Sequence, residues 1–97
     1  MRHEIVLAPQ AVSDVERLRA VDRSALRAAM ETHLRFEPEK TSRSRIKKLR
    51  GLRRPQFRLR VGELRVFYDV RGDVVEVLAV VNKSDASAWL KREGTPE

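Results

Sequence analysis

Residues 56–71 read QFRLRVGELRVFYDVR, and this stretch decides the fold. Apolar and mostly basic side chains alternate on either side of Gly62-Glu63, the period of a strand with one face in a core. Gly62-Glu63 has glycine first, as a two-residue type II′ hairpin turn requires. Such a turn fixes the register. It predicts Val61 opposite Leu64, Arg60 opposite Arg65, Leu59 opposite Val66 and Arg58 opposite Phe67. A second turn of this kind, Gly72-Asp73, leads into a last strand over 74–82, VVEVLAVVN. It predicts Arg65 opposite Val80, Phe67 opposite Leu78 and Tyr68 opposite Val77.

The two faces of this meander differ sharply. One carries Phe57, Leu59, Val61, Leu64, Val66, Tyr68, Val70, Val75, Val77, Ala79 and Val81, with no charge. It is the core face, and burying each larger side chain stabilises the domain by about 1.5–3 kcal/mol. The other carries Arg58, Arg60, Arg65, Phe67, Asp69, Arg71, Leu78 and Val80. Arg60 opposite Arg65 is a like-charge pair, unfavourable unless an anion bridges it. The plainer alternative is that the arginine stems cover apolar sheet while their heads stay in water.

Upstream, residues 2–8 read as a first strand. Pro9 opens a helix, where its missing N–H costs nothing, with Val12, Val15 and Leu18 as the apolar stripe. Asp22 is the expected cap of a second helix over 23–36, with the stripe Leu26, Met30, His33 and Leu34. The short link between the helices predicts an antiparallel hairpin over the core face. Residues 37–45, EPEKTSRSR, have loop chemistry. A final helix over Ser84–Arg92 takes Ser84 or Asp85 as its cap. The fold class is α+β: one domain over 1–97, in the order β-α-α-β-β-β(-α), a small antiparallel meander packed on an N-terminal helical hairpin.

With 97 residues the chain has room for one core. It has no cysteine, so disulfides and Cys-based zinc sites are excluded. His3 and His33 and the acids are scattered, and the reading assigns no metal and no cofactor. The apolar run in MRHEIVLAPQ is too short for a signal peptide and contains Glu4. No stretch approaches the roughly 18 apolar residues of a membrane span. These features predict a cytoplasmic protein with no membrane partner.

The net charge is +7, and its distribution is lopsided. Residues 1–39 hold six Lys/Arg and seven Asp/Glu, and residues 66–97 hold four and six. Residues 40–65 hold eleven Lys/Arg and one acid, Glu63. A block of this kind suits a polyanion or an acidic protein segment. Within it, Lys40, Arg43, Arg45, Lys47, Lys48 and Arg50 read as phosphate contacts.

Lys48-Leu49-Arg50-Gly51, then Phe57-Arg58-Leu59-Arg60-Val61-Gly62, then Leu64-Arg65-Val66-Phe67-Tyr68, resembles the signature of the RelE/ParE superfamily of toxins from type II toxin–antitoxin pairs. The element order resembles that fold over nearly the whole chain, and the basic positions are closer to RelE. The resemblance implies a metal-independent, ribosome-dependent mRNA endoribonuclease, in which the RNA 2′-OH attacks its own phosphate. It implies that Arg58, Arg60 and Arg65 clamp the phosphate and the charge that develops on it. Lys83 stands where the family usually has an Arg, and Trp89 where it often has a Tyr that stacks on a base. Lysine keeps the charge but not the guanidinium fork, and an indole stacks but does not exchange protons. The implied partners are the ribosome with its mRNA and a cognate antitoxin. An acidic antitoxin segment would meet Arg58, Arg60 and Arg65 beside a groove of Phe67, Leu78 and Val80. The ParE branch implies an alternative, an inhibitor of DNA gyrase without nuclease chemistry. An inactive relative that only binds antitoxin or RNA is the third reading.

Overall fold

The computed structural model describes all residues, 1–97. In chain order the elements are β1 (Glu4–Leu7), α1 (Pro9–Glu16), α2 (Ala20–His33), β2 (Ile46–Lys48), β3 (Leu52–Arg54), β4 (Phe57–Val61), β5 (Leu64–Arg71), β6 (Val74–Asn82), α3 (Lys83–Glu93) and β7 (Thr95–Pro96). Five strands form one sheet in the order β1-β6-β5-β4-β2, and β3 pairs with β7 in a separate ribbon. The meander β4-β5-β6 is antiparallel, as the two glycine turns require. β1 joins it in parallel along β6. The three short strands β2, β3 and β7 were not expected, because segments of two or three residues carry no readable period.

The β4–β5 register is the expected one, including Arg60 opposite Arg65. Gly62 has φ 57° and no non-glycine residue has a positive φ, which fits a type II′ turn with glycine first. The β5–β6 register is as expected from Gly72-Asp73 up to Tyr68 opposite Val77, and then shifts. Leu78 is an extra residue on β6, so Phe67 pairs with Ala79 and Arg65 with Val81. This bulge reverses the alternation beyond it. Val80 therefore faces the helices and joins the main core, while Ala79 and Val81 turn to the arginine face. The expected places of these three residues are corrected accordingly.

The main core joins one sheet face to α1 and α2 through Ala11, Leu26, Leu34, Ile46, Leu59, Val66, Val75 and Val77, among others. α1 begins at Pro9, but its buried face is Ala11 and Asp14, and Val12 is exposed. Asp14 is the physical reason. β1 ends at Leu7, which leaves the edge of β6 open beyond Val77. The Asp14 carboxylate accepts the Val80 N–H there at 2.9 Å, so the helix turns a polar residue inward. α2 starts at Ala20, with Arg19 in the cap position, and Asp22 lies in the first turn. α3 starts at Lys83 after Asn82, so neither Ser84 nor Asp85 is its cap.

A second, smaller core lies on the opposite face of the sheet. Phe67, Leu78 and Ala79 pack there against Trp89 of α3. The sheet is thus covered by α1 and α2 on one side and partly by α3 on the other.

Candidate nucleic-acid interface

The uncovered half of that second face is the candidate site. In the sheet register Lys47 lies opposite Arg58, and Arg58 opposite Phe67. The Arg60 N–H donates to the Arg45 carbonyl at 2.9 Å, which sets Arg45 beside Arg60, and Arg60 lies opposite Arg65. Two rows therefore cross the strands: Arg45–Arg60–Arg65, and Lys47–Arg58–Phe67. Strands lie about 4.8 Å apart and same-face residues about 7 Å apart along a strand, so five cations share a small patch. Neither row contains a carboxylate. The nearest face acid, Asp69, is one row beyond Phe67.

These cations are held differently. Arg65 is 6% exposed, and its guanidinium donates to the carbonyls of Gly62 and Leu64, each at 2.9 Å. It braces the hairpin turn and projects its charge from beneath. Arg60 is exposed. Arg58 is half-buried, and its Nε is buried with no hydrogen-bond partner. Burial, then the charges of Arg65 and Arg60, lower its pKa, though a guanidinium stays protonated. An unpaired buried donor among like charges is a local cost of about 1–3 kcal/mol that a bound anion would remove.

The remaining expected site residues are dispersed. Arg45 and Lys47 join the rows, a placement that reading β2 as a strand would have revealed. Lys48 lies opposite Phe57 and sits over its ring at 5.5 Å, so it belongs to the other face. Lys40 pairs with Glu37, and Arg43 and Arg50 are exposed. Lys83 is exposed at the start of α3, where its N–H donates to the Glu63 carbonyl beside the Arg65 turn.

Trp89 is not an open stacking platform. It is 4% exposed, and its ring lies parallel to Phe67 with centroids 4.9 Å apart. Its Nε1–H donates to Gln10 at 3.4 Å. Phe67 is fully buried by this contact. The apolar groove expected from Phe67, Leu78 and Val80 is therefore filled by the chain's own α3, and Val80 is on the other face.

Tyr68, the last residue of the signature, is structural. Its hydroxyl donates to the Pro38 carbonyl at 2.6 Å and so pins the loop before β2, and burial raises its pKa. At the far end of the cationic face, Asp69 accepts the Gln56 N–H at 2.8 Å and pairs with Arg54. Gln56 in turn accepts the Val70 N–H, which fixes where β4 begins. Burial raises the Asp69 pKa against the opposing pull of the Gln56 N–H and Arg54. His3 is bound through its backbone and ring to Arg35, a structural role. No group of three His, Asp or Glu side chains comes together as a metal site would need. No helix is long and apolar enough to cross a membrane.

Fold and face together define a class: small α+β domains of the RelE-like fold, with a cationic sheet face. The free-state structure of a mutant Escherichia coli toxin RelE superposes with a TM-score of 0.72 at 21% identity, over 96% of this chain and 99% of that one. The RelE–RelB complex of Pyrococcus horikoshii OT3 gives 0.70 at 22% identity, over 86% and 97%. The RelB–RelE antitoxin–toxin complex of Methanococcus jannaschii gives 0.67 at 20% identity, over 87% and 96%. No curated protein matches by sequence. A family profile described as ParE toxin of type II toxin-antitoxin system, parDE, matches residues 5–86. The chain belongs to this family, within the RelE/ParE superfamily.

Proposed function

We propose that this toxin acts on RNA, as a metal-independent, ribosome-dependent mRNA endoribonuclease, and that a cognate antitoxin neutralises it. The observation that carries the reading is the pair of acid-free cationic rows with the unpartnered Arg58 Nε at their centre. Exposed Arg60 and half-buried Arg58 would grip the scissile phosphate, and Arg65 would add field from its fixed place at the turn. As the 2′-OH attacks, charge grows on the phosphate oxygens. Guanidinium groups already in position stabilise that charge without reorganising. Lys83 brings a flexible ammonium to the same turn. Trp89 keeps α3 in place, and its buried ring is not offered to a base.

Two of the RelE-type structural neighbours above are complexes with RelB antitoxins. Here an acidic antitoxin segment would cover the open rows of Arg45, Lys47, Arg58 and Arg60. Its apolar anchor must lie elsewhere, since α3 fills the groove at Phe67.

The second reading, a gyrase inhibitor without nuclease chemistry, is favoured by the ParE identity of the family profile. It is also favoured by the internal use of Arg65 and Trp89, two of the five residues expected to catalyse. Primer extension on a reporter mRNA after induction in bacteria without antitoxin separates the two. New cuts within translated codons, lost in Arg60→Ala, support the nuclease. Growth arrest with intact mRNA and induced DNA damage supports gyrase as the target.

A further inference from the structure

A cleft of about 340 Å³ opens between the last turn of α2 and the loop before β2. It lies around the β2 edge of the sheet and meets the rows at Arg45. Its walls are Thr32, His33, Lys40, Ser42, Ser44 and Arg45, with Glu37 the one acid and Ile46 the one apolar residue. His33 thus lines a polar cleft, where its position in the α2 stripe had suggested a core contact.

We infer that this cleft is a second phosphate subsite, which takes the backbone of a single RNA strand running on from the arginine rows; the inference rests on the RNA reading above. Three observations carry it. First, the lining is rich in donors: three hydroxyls, an imidazole, an ammonium and a guanidinium. The one carboxylate, Glu37, has Lys40 as its ion-pair partner at 3.8 Å. Second, the cleft is braced before any ligand arrives. The Ser42 hydroxyl oxygen accepts the N–H groups of Arg45 and Ile46, at 3.0 and 3.4 Å, which leaves its hydrogen free to donate. The Tyr68 bond to Pro38 pins the same loop from below. Third, Arg45 makes the cleft and the rows continuous. It forms a wall of the cleft, while its guanidinium donates to the Arg60 carbonyl at 3.3 Å and its own carbonyl accepts the Arg60 N–H. A strand leaving Arg60 across the β2 edge passes Arg45 and Ser44 and meets Lys40, whose ammonium faces Glu37, the one acid of the cleft.

The test is fluorescence anisotropy with the purified full chain and two single-stranded RNAs, a trinucleotide and a dodecanucleotide, over a range of salt. Lys40→Ala and Ser44→Glu alter the cleft alone, and Arg60→Ala alters the rows alone. Each phosphate contact contributes about 0.7 to the slope of log affinity against log salt for single strands. For the dodecanucleotide, Lys40→Ala should reduce the slope by about 0.7 and Ser44→Glu should weaken binding, with the trinucleotide unaffected by either. Arg60→Ala should weaken both RNAs. Wild-type behaviour of Lys40→Ala and Ser44→Glu on the dodecanucleotide, with Arg60→Ala still impaired, overturns the subsite and leaves the row reading intact. Failure of the wild type to bind either RNA overturns the subsite, while the row reading, which places cutting on the ribosome, is decided by the primer-extension assay.

Discussion

Replacing Trp89 by alanine should cost about 3–5 kcal/mol of stability. The ring is 4% exposed and stacks on fully buried Phe67 with an interplanar angle of 3°. About 0.5–1.5 kcal/mol of the loss is the aromatic pair, and the rest is lost burial and the void left against Leu78 and Ala79. A domain of this size has only about 5–15 kcal/mol in total. Each kcal/mol lowers the melting temperature by about 4–8 °C, so Trp89→Ala should melt roughly 12–40 °C below the parent. Circular dichroism melts measure this, and hydrogen exchange shows whether residues 83–93 open first. Trp89→Phe keeps a ring on Phe67 and should lose much less. Trp89 is also the sole tryptophan, so its emission reports the contact directly and should shift to the red in Phe67→Ala. A Trp89→Ala melting temperature within about 4 °C of the parent would refute the docking of α3 through this ring.

Tyr68→Phe removes the buried bond to Pro38 and should cost about 1–3 kcal/mol in urea unfolding, because the carbonyl is left unpaired. Asp14→Ala strips the Val80 N–H of its acceptor and should cost a similar amount, about 1–3 kcal/mol by the same assay. Arg60→Ala relieves the like-charge pair with Arg65 and should stabilise the fold by about 0.2–1 kcal/mol, a gain that salt reduces. Asp69 has a raised pKa, so its contribution is fully present below the unfolded carboxyl value of about 3.9 and is lost as pH rises through the folded value. The stability of the parent relative to Asp69→Asn should therefore decline as pH rises from acid to neutral. A difference that grows with pH would mean that Arg54 and the Gln56 N–H outweigh burial.

The hairpin was legible because a glycine-first two-residue turn and a strict alternation leave one register for β4 and β5. The arginine face followed from it, and so did the opposition of Arg60 and Arg65. What was not legible came from interactions distant in sequence. The Leu78 bulge has no local signal in VVEVLAVVN, where any apolar residue fits either face. It is seen only once Phe67 must meet both Leu78 and Ala79. Asp14 reads as a surface residue of α1 until β1 is seen to stop short of Val80. β2 is three residues long, so Lys47 entered the site only as one of a block of basic residues when it is in fact the direct neighbour of Arg58. Trp89 stood in the sequence as a base-stacking position implied by the resemblance, and only its contact with Phe67 makes it the anchor of α3.

The most direct test of the cationic rows compares Arg60→Ala with Arg27→Ala in RNA binding by the purified chain. Both remove one exposed arginine, but Arg27 lies on α2, in the helical layer on the other side of the sheet. Sharply weakened binding in Arg60→Ala, with Arg27→Ala close to the parent, is the predicted result. Equal losses in the two variants would show that the chain's overall charge, rather than this face, holds the RNA.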